Sequence, residues 1–189
     1  MKKLITLALV AAAVAPVFAQ ESETADDAVV PPVREERSHS SDVWPAFIAI
    51  CEFPDVPDVI GLRLTLPFST RQENVTGIDI GLWGRSLYFE GIQVNLLRND
   101  VKDDAACVQV GLYNSVGGGD LLGLQVGLWN EGNSMRGAQV GLVNVSGETE
   151  GFQVGIINRS ETMHGYQVGL INIIRDAELQ FFPIVNIGF

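Results

Sequence analysis

Residues 123–144, GLQVGLWNEGNSMRGAQVGLVN, state one eight-residue phrase twice: GLQVGLWN at 123 and GAQVGLVN at 137. Outward from this pair the same phrase recurs as GIDIGLWG at 77, GIQVNLLR at 91, CVQVGLYN at 107, GFQVGIIN at 151 and GYQVGLIN at 165. Degenerate copies extend it to GLRLTLPF at 61, LQFFPIVN at 179 and, more faintly, PAFIAICE at 45. A short fixed period constrains the fold before any single residue does.

Successive copies start 14 or 16 residues apart, never an odd number. Side chains on a strand alternate faces with a period of two, so an odd step would turn every later copy inside out. A helix, with 3.6 residues per turn, imposes no such parity. Val, Ile, Leu, Trp and Tyr in short runs broken by Gly, Asn and Ser are strand composition. The chain therefore reads as all-β, with about ten strands and no helix after its first residues.

Numbering the phrase from its first Gly, slots 1, 3, 5 and 7 place Gly, Gln, Gly and a bulky residue (Trp83, Tyr113, Trp129 or Ile157) on one face. Slots 2, 4, 6 and 8 place an apolar residue, Val, Leu or Ile, and Asn on the other. A parallel return within one sheet takes about a dozen residues, and where the step is 14 only six separate the blocks. Three-residue turns such as Ser146-Gly147-Glu148 would leave eleven residues per strand and suit antiparallel hairpins. The expected topology is an antiparallel up-and-down meander. Closing it removes exposed edges, its strand length suffices to cross a bilayer, and ten is an even number, as in single-chain bacterial barrels.

Charges crowd outside the blocks, as Glu131, Glu148, Glu161 and Arg175 do. The exceptions are Arg63 and Asp79, which fill the Gln slot in consecutive copies. With Gln93, Gln109, Gln125, Gln139, Gln153 and Gln167 they are predicted to line the lumen of a small β-barrel. There Arg63 and Asp79 could pair across adjacent strands with Gln amides completing their shells, whereas lipid exposure would be very costly. The alternative is chance substitution at a tolerant slot. The alternative fold is a compact β-solenoid with stacked Gln and Asn ladders, which would bring Gln93, Gln109 and Gln125 together in parallel register. Near-identical repeats suit such neighbours, related by translation.

At the N-terminus, Lys2 and Lys3 precede the apolar run LITLALVAAAVAPV and the small-residue site Val17-Phe18-Ala19. That is the pattern of a secretory signal peptide, assigned to residues 1–19. Residues 20–43 form a polar, acidic arm, and 44–189 the repeat domain. Losing Lys2 and Lys3 takes the formal charge from −11 to −13, which argues against nucleic acid as a partner. Cys51 and Cys107 are two buried small hydrophobes or, less simply, a disulfide.

No constellation reads as a catalytic, cofactor or metal site. His39 lies in the arm and His164 in an expected turn; Glu161 and His164 lack a further His or Cys. Gly117-Gly118-Gly119 lacks the strand–loop–helix context and Lys of a phosphate loop, and is expected to be a long hairpin loop. The closing Asn of each block is expected to be a turn residue. The chain is not expected to be an enzyme.

The ending PIVNIGF, with Phe181, Val185, Ile187 and Phe189 in alternation, resembles the terminal aromatic signature of bacterial outer-membrane β-barrel proteins. The resemblance implies Phe189 as an assembly signal, with outer-membrane lipid and the barrel-assembly machinery as partners. These residues fall on odd slots, the face assigned to the lumen, so a bulge at Pro183 would have to reverse the phase. Over residues 61–189, from GLRLTLPF through the central copies to PIVNIGF, the G-x-Q-x-G-L-x-N array resembles bacterial surface-repeat proteins of uncharacterised function. That resemblance implies export and residence in the envelope, and no activity; Asn95, Arg98 and Cys107 depart from its pattern. The expectation is a small outer-membrane β-barrel with a largely filled lumen, serving as a non-enzymatic envelope component. The alternative is a soluble, secreted or periplasmic β-repeat adhesin or interaction scaffold.

Overall fold

The computed structural model describes residues 45–51, 53–69 and 73–189. The signal peptide and acidic arm read from the sequence lie outside them, with Trp44 and His39. All regular elements among the described residues are strands: β1 (Ala46–Ile50), β2 (Asp58–Ser69), β3 (Asn74–Ser86), β4 (Tyr88–Val101), β5 (Ala105–Val110), β6 (Tyr113–Val154), β7 (Ile157–Ile174) and β8 (Phe181–Gly188).

The strands from β1 to β7 pair in parallel with their neighbours, and only β8 runs antiparallel, against β7. Their order is linear, β1 to β8, and the first strand does not meet the last. The molecule is therefore a β-solenoid of about eight coils, and the expected antiparallel barrel is wrong. The register reproduces the repeat: Gly77 lies beside Gly91, and Gln93, Gln109 and Gln125 follow one another in adjacent strands.

The short path between blocks explains the misreading. The dozen-residue rule concerns a connection that must return to the sheet it left. Here the six intervening residues return nowhere, because they help to build the second side of the coil. In β6 and β7, Glu148–Val154 pairs with Thr162–Val168 on one side, and Val143–Ser146 pairs with Ile157–Ser160 on the other. The chain turns at Gly147 and at Gly155-Ile156, so Ser146-Gly147-Glu148 is a coil corner rather than a hairpin. The corners also relax the parity rule. Gly81 pairs with Asn95, but Trp83 pairs with Arg98, so one extra residue is absorbed at the corner between them. A corner has no alternation to preserve.

Inside the coil, one column two residues before each block is largely apolar: Val59, Val75, Phe89, Ala105, Leu121, Met135 and Met163 are all buried. Val101 and Val116, buried on the other side of the coil, belong to the same apolar cluster, which runs from Ala46 to Met135; beyond buried Thr149, Met163 and Ile174 are buried outside it. Dispersion and burial here supply a one-dimensional core in which each coil contacts its neighbours.

The two ends depart from the repeat. At the start, β1 sets Ile48 beside Leu62 and Ile50 beside Leu64, two residues away from the alignment of PAFIAICE read from sequence. At the finish, the LQFFPIVN copy is not a further parallel coil. Its strand β8 lies antiparallel, with Val185 opposite Val168 and Ile187 opposite Tyr166. The register slips between Ile184 and Phe182, around Pro183, and Ile184 adopts a φ of 73°.

Candidate functional site

Two surfaces carry the repeat's side chains, an inner amide-lined one and an outer apolar one. On the inner one, each Gln in slot 3 is fully buried, and each from Gln109 onward donates its Nε2–H to the Oε1 of the Gln one coil earlier. Gln109 donates to Gln93 at 3.0 Å, and Gln125, Gln139, Gln153 and Gln167 continue the series at 2.8 Å each. Gln125, Gln139, Gln153 and Gln167 also reach across the coil to the carbonyls of Glu131, Val145, Arg159 and Ile173. The ladder thus ties each coil to the previous one and ties the two sides of a coil together.

Its foot is an ion pair. Asp79 Oδ2 accepts from Gln93 Nε2 at 3.0 Å, from Asn95 Nδ2 at 3.0 Å and from Arg63 Nη2 at 2.7 Å. Arg63 and Asp79 are completely buried, and Arg63 Nη1 donates to the Arg85 carbonyl at 3.0 Å. A carboxylate only accepts, so Gln93 must turn its N–H toward Asp79, and every later Gln must follow the same polarity. At the far end Gln167 is in register with Asn186 of β8. There Gln167 Oε1 and Asn186 Nδ2, an acceptor and a donor, are both buried without a partner among the described residues.

The Asn in slot 8 forms a second ladder, where the sequence reading expected a turn residue. Asn99, one residue past slot 8 of its block, and Asn114, Asn130, Asn144 and Asn158 in slot 8 each donate Nδ2–H to the Oδ1 of the Asn one coil later, at 2.7–2.8 Å. Each also donates to a slot 4 carbonyl of that next coil, as Asn144 does to Val154 at 3.0 Å. At the corner just after slot 4 this carbonyl takes two donors, as where Val126 accepts from Gly111 N–H and Asn114 Nδ2 and Val168 from Gly155 N–H and Asn158 Nδ2. The glycine of slot 5 leaves room for the Asn donor: a Cβ on Gly141 would lie about 2.6 Å from Asn130 Nδ2. The signal for this ladder was present in sequence, since Asn closes its blocks with the same regularity with which Gln fills slot 3.

The outer face inverts this chemistry. Slots 2, 4 and 6 point away from the interior and form three columns, all apolar apart from the Tyr166 hydroxyl, running the length of the coils. Val140 is 39% exposed, Leu142 47% and Ile156 45%. At the ends the columns continue into Ile48 and Ile50 of β1 and into Val185 and Ile187 of β8. Between the Val and Leu columns runs a groove of about 670 Å³, lined by Val126, Leu128, Val140, Leu142, Val154 and Ile156 and by Gly127, Gly141, Gly155 and Gly169 among others.

The other singled-out residues do not converge on a reacting centre. Cys51 and Cys107 are free thiols, and burial pushes the Cys107 thiol up to about 12. His164 is exposed on strand β7 rather than in a turn, and Gly117–Gly119 belongs to strand β6 rather than to a hairpin loop. Arg98 lies 4.6 Å from the Tyr113 ring centroid and 5.8 Å from that of Trp83. Burial, reinforced by the Glu131 carboxylate that accepts its hydroxyl, pushes Tyr113 up to about 12. Asp100, buried, is surrounded by Arg85, Arg98 and Lys102 within 3.6 Å. Among the described residues no three His, Cys, Asp or Glu side chains gather as metal ligands do. Phe189 is 98% exposed beyond β8, on a solenoid, so the barrel that its assembly-signal role presupposes is missing.

No protein-family model, curated protein or solved structure matches this chain.

Proposed function

We propose that this chain is an exported, non-enzymatic β-solenoid acting as an interaction scaffold, with its outer apolar sheet face as the working surface. The outer-membrane barrel is set aside, because consecutive copies run parallel and the ends of the sheet do not close. The observation that carries the scaffold reading is the contrast between the two surfaces. The buried amides hydrogen-bond chiefly to one another and to backbone carbonyls, which commits most of their donors and acceptors to holding coils together. The side chains turned outward on slots 2 and 4 of the sheet and on slot 6 at its corner are apolar and exposed, a feature of surfaces made for contact rather than for water. Export is supported by the Lys2-Lys3 leader with its Ala19 site, and the acidic charge of −11 argues against nucleic acid. The same leader supports periplasmic or secreted residence.

Fractionation of the native host tests this reading. The processed chain, beginning at Gln20 by mass spectrometry, is expected in the supernatant after detergent-free lysis and ultracentrifugation, or in the medium. Recovery only from detergent-extracted membranes would overturn it.

A further inference from the structure

The coil that opens at Gly91 departs from its neighbours, and its departures gather in one place. At the alternate positions flanking Asn144 stand Val143, Val145 and Gly147; the equivalent places around Asn99 hold Arg98, Asp100 and Lys102. The extra residue absorbed at a corner lies just before them, between Asn95 and Arg98. Arg85, in register with Asp100 on the preceding coil, adds another cation. A sequence that keeps its own pattern for structural reasons breaks it chiefly where function requires.

Asp100 is the centre of this group. It is 1% exposed, and its Oδ2 takes Arg85 Nε at 2.9 Å, Lys102 Nζ at 3.3 Å and Arg98 Nη2 at 3.6 Å. The cations themselves remain in contact with solvent, at 38%, 50% and 35% exposure in that order. One carboxylate can be met by a single cation, as Glu150 is by Arg136. Here three positive charges meet one negative, a local surplus of two, on a chain whose formal charge is −11. Of the carboxylates nearby, Glu131 accepts from the Tyr113 hydroxyl and Asp104 from the Asp120 N–H. Asp103, past the end of β4, is ion-paired with none of these cations among the described residues.

The donors are held in place before any ligand arrives. The Arg98 guanidinium lies between the Tyr113 ring at 4.6 Å and the Trp83 ring at 5.8 Å, which fixes its plane. Arg85 uses Nε alone on Asp100, so its two terminal nitrogens are left for another acceptor. Such preorganisation lowers the ordering that binding would otherwise demand. Charge and donor count then select the ligand. A phosphate monoester carries about two negative charges and three strong acceptor oxygens, which match the surplus charge and the three cationic side chains. A carboxylate has one charge and two oxygens, and would leave a cation unmet.

We infer that Arg85, Arg98 and Lys102, gathered on Asp100, form a binding site for a phosphate monoester group. The site lies where β4 pairs with β6, on the other side of the coil from slots 2 and 4. It goes beyond the scaffold reading, which stands if the site fails.

Isothermal titration calorimetry of the processed chain with inorganic phosphate and with glucose 1-phosphate tests it. Both are expected to bind, and acetate at the same concentration is not. Arg85→Gln and Lys102→Gln, made singly, should each weaken both phosphates about tenfold or more, the effect of one charged hydrogen bond. Arg136→Gln, on the opposite side of the coil, should leave them unchanged. Arg85→Lys keeps the ion pair with Asp100 and removes the terminal nitrogens, so it serves should a neutral variant not fold; affinity is expected to fall there too. Flotation with phosphatidylcholine vesicles containing phosphatidic acid distinguishes the source of the phosphate. Flotation that is lost in Arg85→Gln and Lys102→Gln assigns the group to a lipid. Absent flotation, with glucose 1-phosphate still bound, assigns it to a soluble compound or a glycan. A folded wild type that binds neither phosphate overturns the site. Binding that both glutamine variants leave at full strength, or that acetate matches, overturns it equally.

Discussion

The interior and the outer sheet face of this solenoid exchange the roles usual in globular proteins. Within the coil, slots 3 and 8 bury amides and one ion pair; outside, slots 2, 4 and 6 expose Val, Leu and Ile. The same strand supplies both, one residue apart, as Gln139 and Val140 do. An amide buried alone is costly, but one amide per coil at a fixed spacing meets its own kind above and below. The inner face specifies stacking because only an in-register neighbour satisfies it. The outer face makes no such demand of its own chain.

The comparison breaks most severely at the ion pair. Asp79→Ala leaves the Arg63 guanidinium buried and unpaired, and is expected to destabilise the fold by about 3–5 kcal/mol in urea titration. Replacing both residues by Gln extends the ladder by two coils and should recover most of that loss; a double variant no better than Asp79→Ala would remove the pair from its anchoring role. Next in size, Gln139→Leu leaves Gln125 Oε1 without its donor and takes one acceptor from Gln153 Nε2, which keeps Ser146 Oγ and the Arg159 carbonyl, for about 2–4 kcal/mol. Its neighbour sharpens the contrast: Val140→Thr should shift folding by no more than about 0.5 kcal/mol. Equal effects at 139 and 140 would erase the distinction between the faces.

A smaller loss is expected at slot 1. Gly137 has a φ of 137°, and a Cβ there would fall on the Gly123 carbonyl. Gly137→Ala should cost about 1–3 kcal/mol, by thermal unfolding. Cys107 is the exception at this slot, and it supplies the mildest test. Its thiol, raised by burial from 9.0 to about 12, stays neutral in the fold while the unfolded chain ionises. Stability is therefore fully present below pH 9 and is lost as pH climbs toward 12. Tyr113, raised from 10.0 to about 12, adds a second loss that begins near pH 10. In Cys107→Ala the melting temperature should hold flat to about pH 10 before it falls; an unchanged profile would mean that the thiol titrates normally.

Much of this architecture could be read from the phrase itself. Parity and residue type identify strands, and alternation sorts Gln139 from Val140 and Arg63 from Leu64. What alternation does not encode is the direction of the next strand. A six-residue spacer serves equally well as a turn and as the far side of a coil, and that ambiguity produced the barrel. The Asn ladder was misjudged for a local reason. Asn144 does sit beside a corner, where turn chemistry is expected, but its partners are Asn158 and the Val154 carbonyl in the next coil, contacts that exist only once coils stack. The outer groove was likewise invisible, because it depends on neighbouring coils aligning Val126, Val140 and Val154.

The two amide columns point opposite ways: Gln N–H groups face the preceding coil and Asn N–H groups the following one. Their head-to-tail moments therefore oppose each other along the axis instead of summing to end charges, as they do in an α-helix. Lengthening such a stack builds up little field at its tips. Duplication or loss of a fourteen-residue unit such as Gly137–Glu150 then changes the electrostatics through its own Glu148 and Glu150 and not through a growing axial moment of the amides.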